Sequence, residues 1–207
     1  HRDLHSFPTR RSSDLSLVIS RQRLDDGSRL QIVQNMANDG GMLHRTEATV
    51  LCAAHPLARP VSWELTSTFV GPDGQPVEGL RTVETGAVTA GRALVVTRNG
   101  SESRRDLARE VTSDWCLFDA VQRLPRQASE PLVFDLLEGM SLLKEEHRLV
   151  WAGERRLARD GNERVFAVYQ HTGAGILPYA YWLDAGGRLV LVVTHSRAYV
   201  LEPRAEE

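Results

Sequence analysis

Two of the seven histidines, His1 and His5, fall in the first fifteen residues; the other five are His44, His55, His147, His171 and His195. An imidazole titrates near neutrality and is the side chain most often used as a general base. None of the five sits in an H-x-H or H-E-x-x-H arrangement, so the spacing supports no zinc site and no metal is assigned. His171 and His195 close two predicted strands and can meet at one end of a sheet. With Asp184 or Glu47 orienting one ring, they would form the acid–base set of a hydrolase. The competing reading is a pair of solvated strand-end histidines, and no catalytic residue is assigned.

Other chemistry is thin. Thr172-Gly173-Ala174-Gly175 has the glycines of a phosphate loop, but Ile176, Leu177 and Pro178 follow, and no helix N-terminus is in prospect. It is expected to be a flexible connection between strands. No G-x-S-x-G elbow occurs, and no cofactor is implied. The carboxylates of "LLKEEH" (142–147) are accounted for by a charged strand edge that resists aggregation. Cys52 and Cys116 belong to no C-x-x-C pair. In an exported protein they could close a single disulfide; in a cytosolic one they would be small buried hydrophobes.

The aromatic inventory carries more. Trp63, Trp115, Phe118, Trp151, Tyr181 and Trp182 are the candidates for lining a ligand-binding surface. Tyr181 and Trp182 must face opposite sides of one strand. If the sheet curls, its concave side either encloses an apolar cavity with Trp115 and Phe118 as a lid, or is plugged by the helix that carries them.

The elements that would position these residues are short strands separated by turn signals. "SLVISRQRL" and "RLQIVQNM" flank Asp25-Asp26-Gly27-Ser28, where Asp-Gly reads as a tight hairpin. In "MLHRTEATVLCAA", Met42, His44, Thr46, Ala48, Val50 and Cys52 form the more apolar face, expected to look inward. Val61, Trp63 and Leu65 alternate in "VSWELTSTFV". Asn99-Gly100 reads as a second hairpin turn, and its overlap with a glycosylation sequon carries less weight than the turn. "TSDWCLFDAVQRLP" breaks the rhythm: Ser113 caps, Asp114 occupies the first turn, and Pro125 stops a helix over about 114–124. Strands then resume, with turns at Asp160-Gly161-Asn162 and Ala185-Gly186-Gly187. The run Leu189 to Val193 is apolar on both faces and is expected to be covered on both.

Composition narrows the classes. The 207-residue chain carries a formal charge of −2, with 24 arginines, one lysine (Lys144) and scattered acidic residues. No basic stripe exists to neutralise a phosphate backbone, which disfavours nucleic acid. No apolar run reaches the roughly 20 residues of a membrane-spanning helix. Residues 1–15, "HRDLHSFPTRRSSDL", resemble a translated sequencing-library adapter over their whole length. They are expected to be non-native, with a single β-rich domain, truncated at its N-terminus, over 16–207.

The helix "SDWCLFDAVQRLP", the strands around "HRLVWAGERRL" and the hairpin "YAYWLDAGGRLVLVV" together resemble bacterial exported domains of unknown function related to the lipoprotein-carrier (LolA-like) half-barrels. The resemblance covers roughly 113–203. It implies a mainly β fold, a strongly curved antiparallel sheet with one short helix packed on it, in the periplasm or secreted. The expected function is non-enzymatic binding of a lipid, another apolar ligand or an envelope protein through the curved sheet. A structural module with a filled core is the first alternative, and the His171/His195 hydrolase the second.

Overall fold

The computed structural model describes residues 2–4, 15–37, 40–90, 92–126, 130–159, 162–194 and 198–200. The chain forms two compact units, one ending at Ala108 and the other spanning Arg109–Leu201. The fold is of the class expected, mainly β with a curled, half-barrel-like sheet and one short helix.

The first unit is an eight-stranded meander in strict sequence order. Its strands are β1 (Arg2–Leu4), β2 (Leu15–Leu24), β3 (Gly27–Ala37), β4 (Leu43–Ala53), β5 (Pro60–Val70), β6 (Thr82–Val88), β7 (Ala93–Arg98) and β8 (Ser101–Asp106). Every neighbouring pair is antiparallel. Two-residue alternation sends Leu17, Ile19, Leu30, Ile32, Ala48, Val50, Trp63 and Leu65 to one face, where all are buried. The inward face expected for β4 is the one observed, with Thr46, Ala48, Val50 and Cys52 buried. Val61 leaves the pattern because it falls in the register shift that pairs Leu51 with Ser62 but Cys52 with Pro60; it is 42% exposed.

The turns show two uses of glycine. At Asn99-Gly100 both residues have positive φ, 47° and 83°, as the two central positions of a type I′ hairpin require. At the first hairpin the loop is Asp25-Asp26, not Asp-Gly, because Leu24 pairs with Gly27. Gly27 is there for closeness: a Cβ would lie 2.0 Å from the carbonyl oxygen of Cys52.

The second unit orders its strands β15-β14-β13-β12-β11-β10-β9. They are β9 (Val111–Ser113), β10 (Leu132–Glu138), β11 (Leu142–Arg159), β12 (Asn162–Thr172), β13 (Tyr179–Leu183), β14 (Leu189–Val193) and β15 (Ala198–Val200). Helix α1 (Asp114–Ala120) is shorter than expected, since Val121 caps it and turns continue toward Pro125. Ser113 caps its start, accepting from Cys116 N at 3.0 Å. The all-antiparallel expectation needs one correction: β9 and β10 run parallel. A parallel neighbour requires a crossover of a dozen residues or more, and the stretch carrying α1 supplies it.

Two further expectations change. The "LLKEEH" run is no edge, because β11 lies between β10 and β12. Leu189 and Val192 are buried, but Val193 is 37% exposed, since β14 is next to a three-residue edge strand. The Asp160-Gly161 turn and residues 5–14 lie outside the described residues.

Trp63 ties the first unit together across strands. Its indole donates to Glu84 Oε1 at 3.1 Å, and Glu84 is paired with Arg98 at 2.8 Å. The ring lies against Gly86 so closely that a Cβ there would fall 2.0 Å from it. Gly86→Ala is therefore expected to displace the indole and cost about 1–3 kcal/mol by overpacking, measured as a fall in the urea midpoint.

Candidate functional site

On the α1 side of the second sheet, the register brings together side chains that the sequence scatters. Phe134 faces His147, Leu149 faces His171, Tyr169 faces Tyr181 and Val192 faces Tyr199 across successive strands. His147 and His171 are both 0% exposed. His147 Nδ1 and His171 Nε2 are 2.8 Å apart, and the Tyr181 hydroxyl lies 3.5 Å from His171 Nδ1. Phe134 packs on both imidazoles, at centroid separations of 6.0 and 5.3 Å.

Proton positions follow from this order. If Tyr181 donates to His171 Nδ1, His171 Nε2–H donates to His147 Nδ1, and the chain ends at His147 Nε2. That nitrogen is buried and makes no hydrogen bond of good geometry among the described residues. Burial lowers the His171 pKa to about 3, with the neighbouring His147 adding to it. Burial also lowers His147, with Lys144 acting in the same direction and the Ala174 backbone opposing. The pair is neutral at physiological pH, and no carboxylate bonds to either ring.

Local backbone shape aims His147 inward. Between Phe134–His147 and Leu136–Lys144 the β11 strand carries an extra residue, and Glu146 takes φ 63°. Such a bulge redirects the following side chain. The strained turn is braced by Asp135, which accepts from Glu146 N at 3.1 Å, and by Arg109, which reaches Asp135 at 3.5 Å and Glu146 at 3.0 Å. Gly173 completes the enclosure, since a Cβ there would lie 2.4 Å from the His147 ring. The glycines of 172–175 serve that packing, and the Gly175 carbonyl accepts from Lys144 Nζ at 3.0 Å.

Asp114 begins α1 and accepts from Gly139 N at 3.1 Å, tying the helix to the β10–β11 turn. Burial raises its pKa to about 6, against that hydrogen bond. Burial also pushes Tyr181 well above the ordinary phenol range.

Asp184 is not placed to orient His171. Asp184 lies beyond Leu183 on β13, whereas His171 pairs with Tyr179 at the opposite end. Its carboxylate closes its own turn by accepting from Arg188 N at 2.8 Å. Glu47 is held by Arg45 at 3.0 Å on β4. His195 lies outside the described residues. His44 contacts Ser67 and stacks on Phe69, and His55 accepts from Leu57 N. No group of three or more metal-ligating side chains occurs among the described residues.

The aromatic candidates divide into separate clusters. Phe118 meets Tyr181 at 6.0 Å and Tyr199 at 5.6 Å, and Trp115 to Ala120 are all buried, so α1 is packed as core. Trp151 pairs with Tyr169, whose hydroxyl donates to the Pro125 carbonyl. Trp182 packs with Phe166 on the opposite face. Trp63 belongs to the first unit. Cys52 and Cys116 are both buried, one in β4 and one in α1.

An open concavity lies elsewhere, on the exposed face of the first sheet, with a volume of about 520 Å³. Two rows of residues, mostly valine, threonine and serine with Gln31, Glu47 and Glu64 among them, form its floor. Val18, Val33, Glu47, Thr66 and Val83 are mutual neighbours across five strands, and Ser20, Gln31, Thr49, Glu64 and Thr85 run beside them. Longer residues flank the rows: Asn35 and Arg45 on one side, Gln22 and Arg29 on the other. The result is a trough running across the strands for about 19 Å, at the usual strand spacing.

No family model matches the sequence, and no curated protein does. Among solved structures, the chain is similar to a Brucella abortus protein described as beta-barrel-like, of a domain of unknown function (DUF1849). The two share 9% identity and a TM-score of 0.59, over 96% of this chain and 94% of that one. The chain shares the fold of that protein.

The buried rings make stability pH-dependent. A base with a lowered pKa takes up a proton on unfolding, so its contribution is complete above pH 6.5 and is lost as pH falls toward 3. Asp114 acts oppositely, favouring the fold most below 3.8 and least above 6. Between pH 6.5 and 4 the two histidines outweigh it, and stability should fall. His171→Gln is expected to flatten that fall and Asp114→Asn to steepen it, in urea midpoints measured from pH 4 to 7.5. Gly173→Ala is expected to cost about 1–3 kcal/mol at pH 7.5, since its Cβ must displace His147; thermal unfolding reads the loss.

Proposed function

We propose that this chain is a non-enzymatic binding module of the bacterial envelope that holds an elongated, largely apolar ligand in the trough of its first sheet. The observation that carries this reading is the contrast between two sites. The imidazoles that could do acid–base chemistry are 0% exposed, whereas the trough is open and floored by valine, threonine and serine interleaved with Gln31, Glu47 and Glu64. Catalysis requires a base within reach of substrate, while binding of a chain-like ligand requires an accessible concavity with apolar contacts.

Burial of Trp63, Trp115, Phe118 and Tyr181 favours the trough over the aromatic set as the ligand surface. The envelope location rests on the resemblance of 113–203 to carrier-related exported domains, and the ligand class on the apolar residues of the trough. A filled-core assembly module is the second reading, favoured by the burial of every residue from Trp115 to Ala120.

Native mass spectrometry of the full chain, purified without detergent and incubated with a bacterial lipid extract, tests the proposal. A lipid-mass adduct is expected, lost in Val33→Arg and Thr66→Arg, which fill the trough, and kept in Trp182→Ala. A clean apo mass, or an adduct indifferent to both arginines, would overturn it in favour of the second reading.

A further inference from the structure

The face of the second sheet opposite α1 has a composition of its own. Gly153, Val168, Trp182, Leu191 and Val200 form one continuous row across β11 to β15. On one side the next rows are Arg155 with Phe166, then Leu157 with Arg164. On the other side are Val150 and Val193, then Arg148 beside Val133. Leu157 is 49% exposed, Val133 48% and Val200 50%.

The charges are one-sided. From Arg148 to Val200, no described strand residue on this face is a carboxylate. Arg148, Arg155 and Arg164 are exposed, and none has an acidic partner among the described residues. Arg156, on the other side of the same hairpin, pairs with Glu163 at 2.9 Å. Arg109, Arg123 and Arg188 each have a carboxylate within 3.5 Å.

We propose that this face is a peripheral docking surface for anionic lipid bilayers. Val168 and the Trp182 indole nitrogen are buried within the row, and the aliphatic groups that reach solvent are Val133, Leu157, Val193 and Val200. Exposed aliphatic groups with cations on both flanks match a membrane boundary: the aliphatic groups settle at headgroup level while guanidinium groups bind lipid phosphates. A fluid bilayer needs no complementary pockets, and the exposed aliphatic groups are spread from Val133 on β10 to Val200 on β15. An acidic protein would satisfy the arginines but would have to match the exposed aliphatic row as well.

Sedimentation of the full chain with vesicles tests this, comparing phosphatidylcholine alone with phosphatidylcholine mixed with phosphatidylglycerol. Binding is expected only to the mixed vesicles and should weaken as salt is raised. The double variant Arg155→Gln/Arg164→Gln should bind roughly 25-fold more weakly, at about fivefold per arginine near a charged surface. Leu157→Glu should also lose binding. All these positions are exposed, so an unchanged circular dichroism spectrum will show that each variant is folded. Failure of the wild-type chain to sediment with phosphatidylglycerol vesicles, or binding indifferent to the variants, overturns the proposal; an acidic protein would then be the occupant to seek.

Discussion

The alternation of side chains along hydrogen-bonded strands is the constraint from which the rest follows. From β2 to β4 the register runs without a slip, so each residue's face is fixed by its parity. That one rule seals Ile19, Ile32 and Ala48 and, on the reverse side, lays Val18, Val33 and Glu47 in line as a trough floor. A slip of one residue in any strand would exchange the two sets. The trough is therefore the exposed counterpart of the core, written by the alternate residues of the same strands.

The second sheet gains its chemistry by interrupting that rule. The extra residue near Glu146 and the shift between Trp151 and Gly153 each reset the parity of β11. The first turns His147 under α1. The second sends Arg155 and Leu157 to the face that Trp182 occupies. Without the resets, one strand of 18 residues could not serve a sealed polar chain at one end and a solvent-facing cationic surface at the other.

Much of the architecture was legible in the sequence because it depends on local signals. Asn99-Gly100, the Ser113 cap and the inward face of β4 are each encoded within a few residues. The His147–His171 pair was not, because it depends on which strands are neighbours and where a bulge falls. His147 ends the run "LLKEEH", whose charges suggested an edge, and only its position between β10 and β12 makes the ring a core residue. Gly27 and Gly173 show the same limit: a glycine in sequence suggests a turn, while here each is required by an atom on another strand. The trough escaped notice because the solvent-side residues of single strands carry no signature until five strands align them.

Strand order also bears on how the chain reaches this state. Nearly every strand pairs with its immediate predecessor and successor, so the sheet contacts lie between consecutive segments of the chain. Hairpins can add one after another, each closing a short loop at small entropic cost. The exception is β9, which must wait for α1 and the crossover before it can lie beside β10. Its three residues are all buried, and the helix cap at Ser113 sits where local helix formation and the parallel pairing of the sheet meet in one residue.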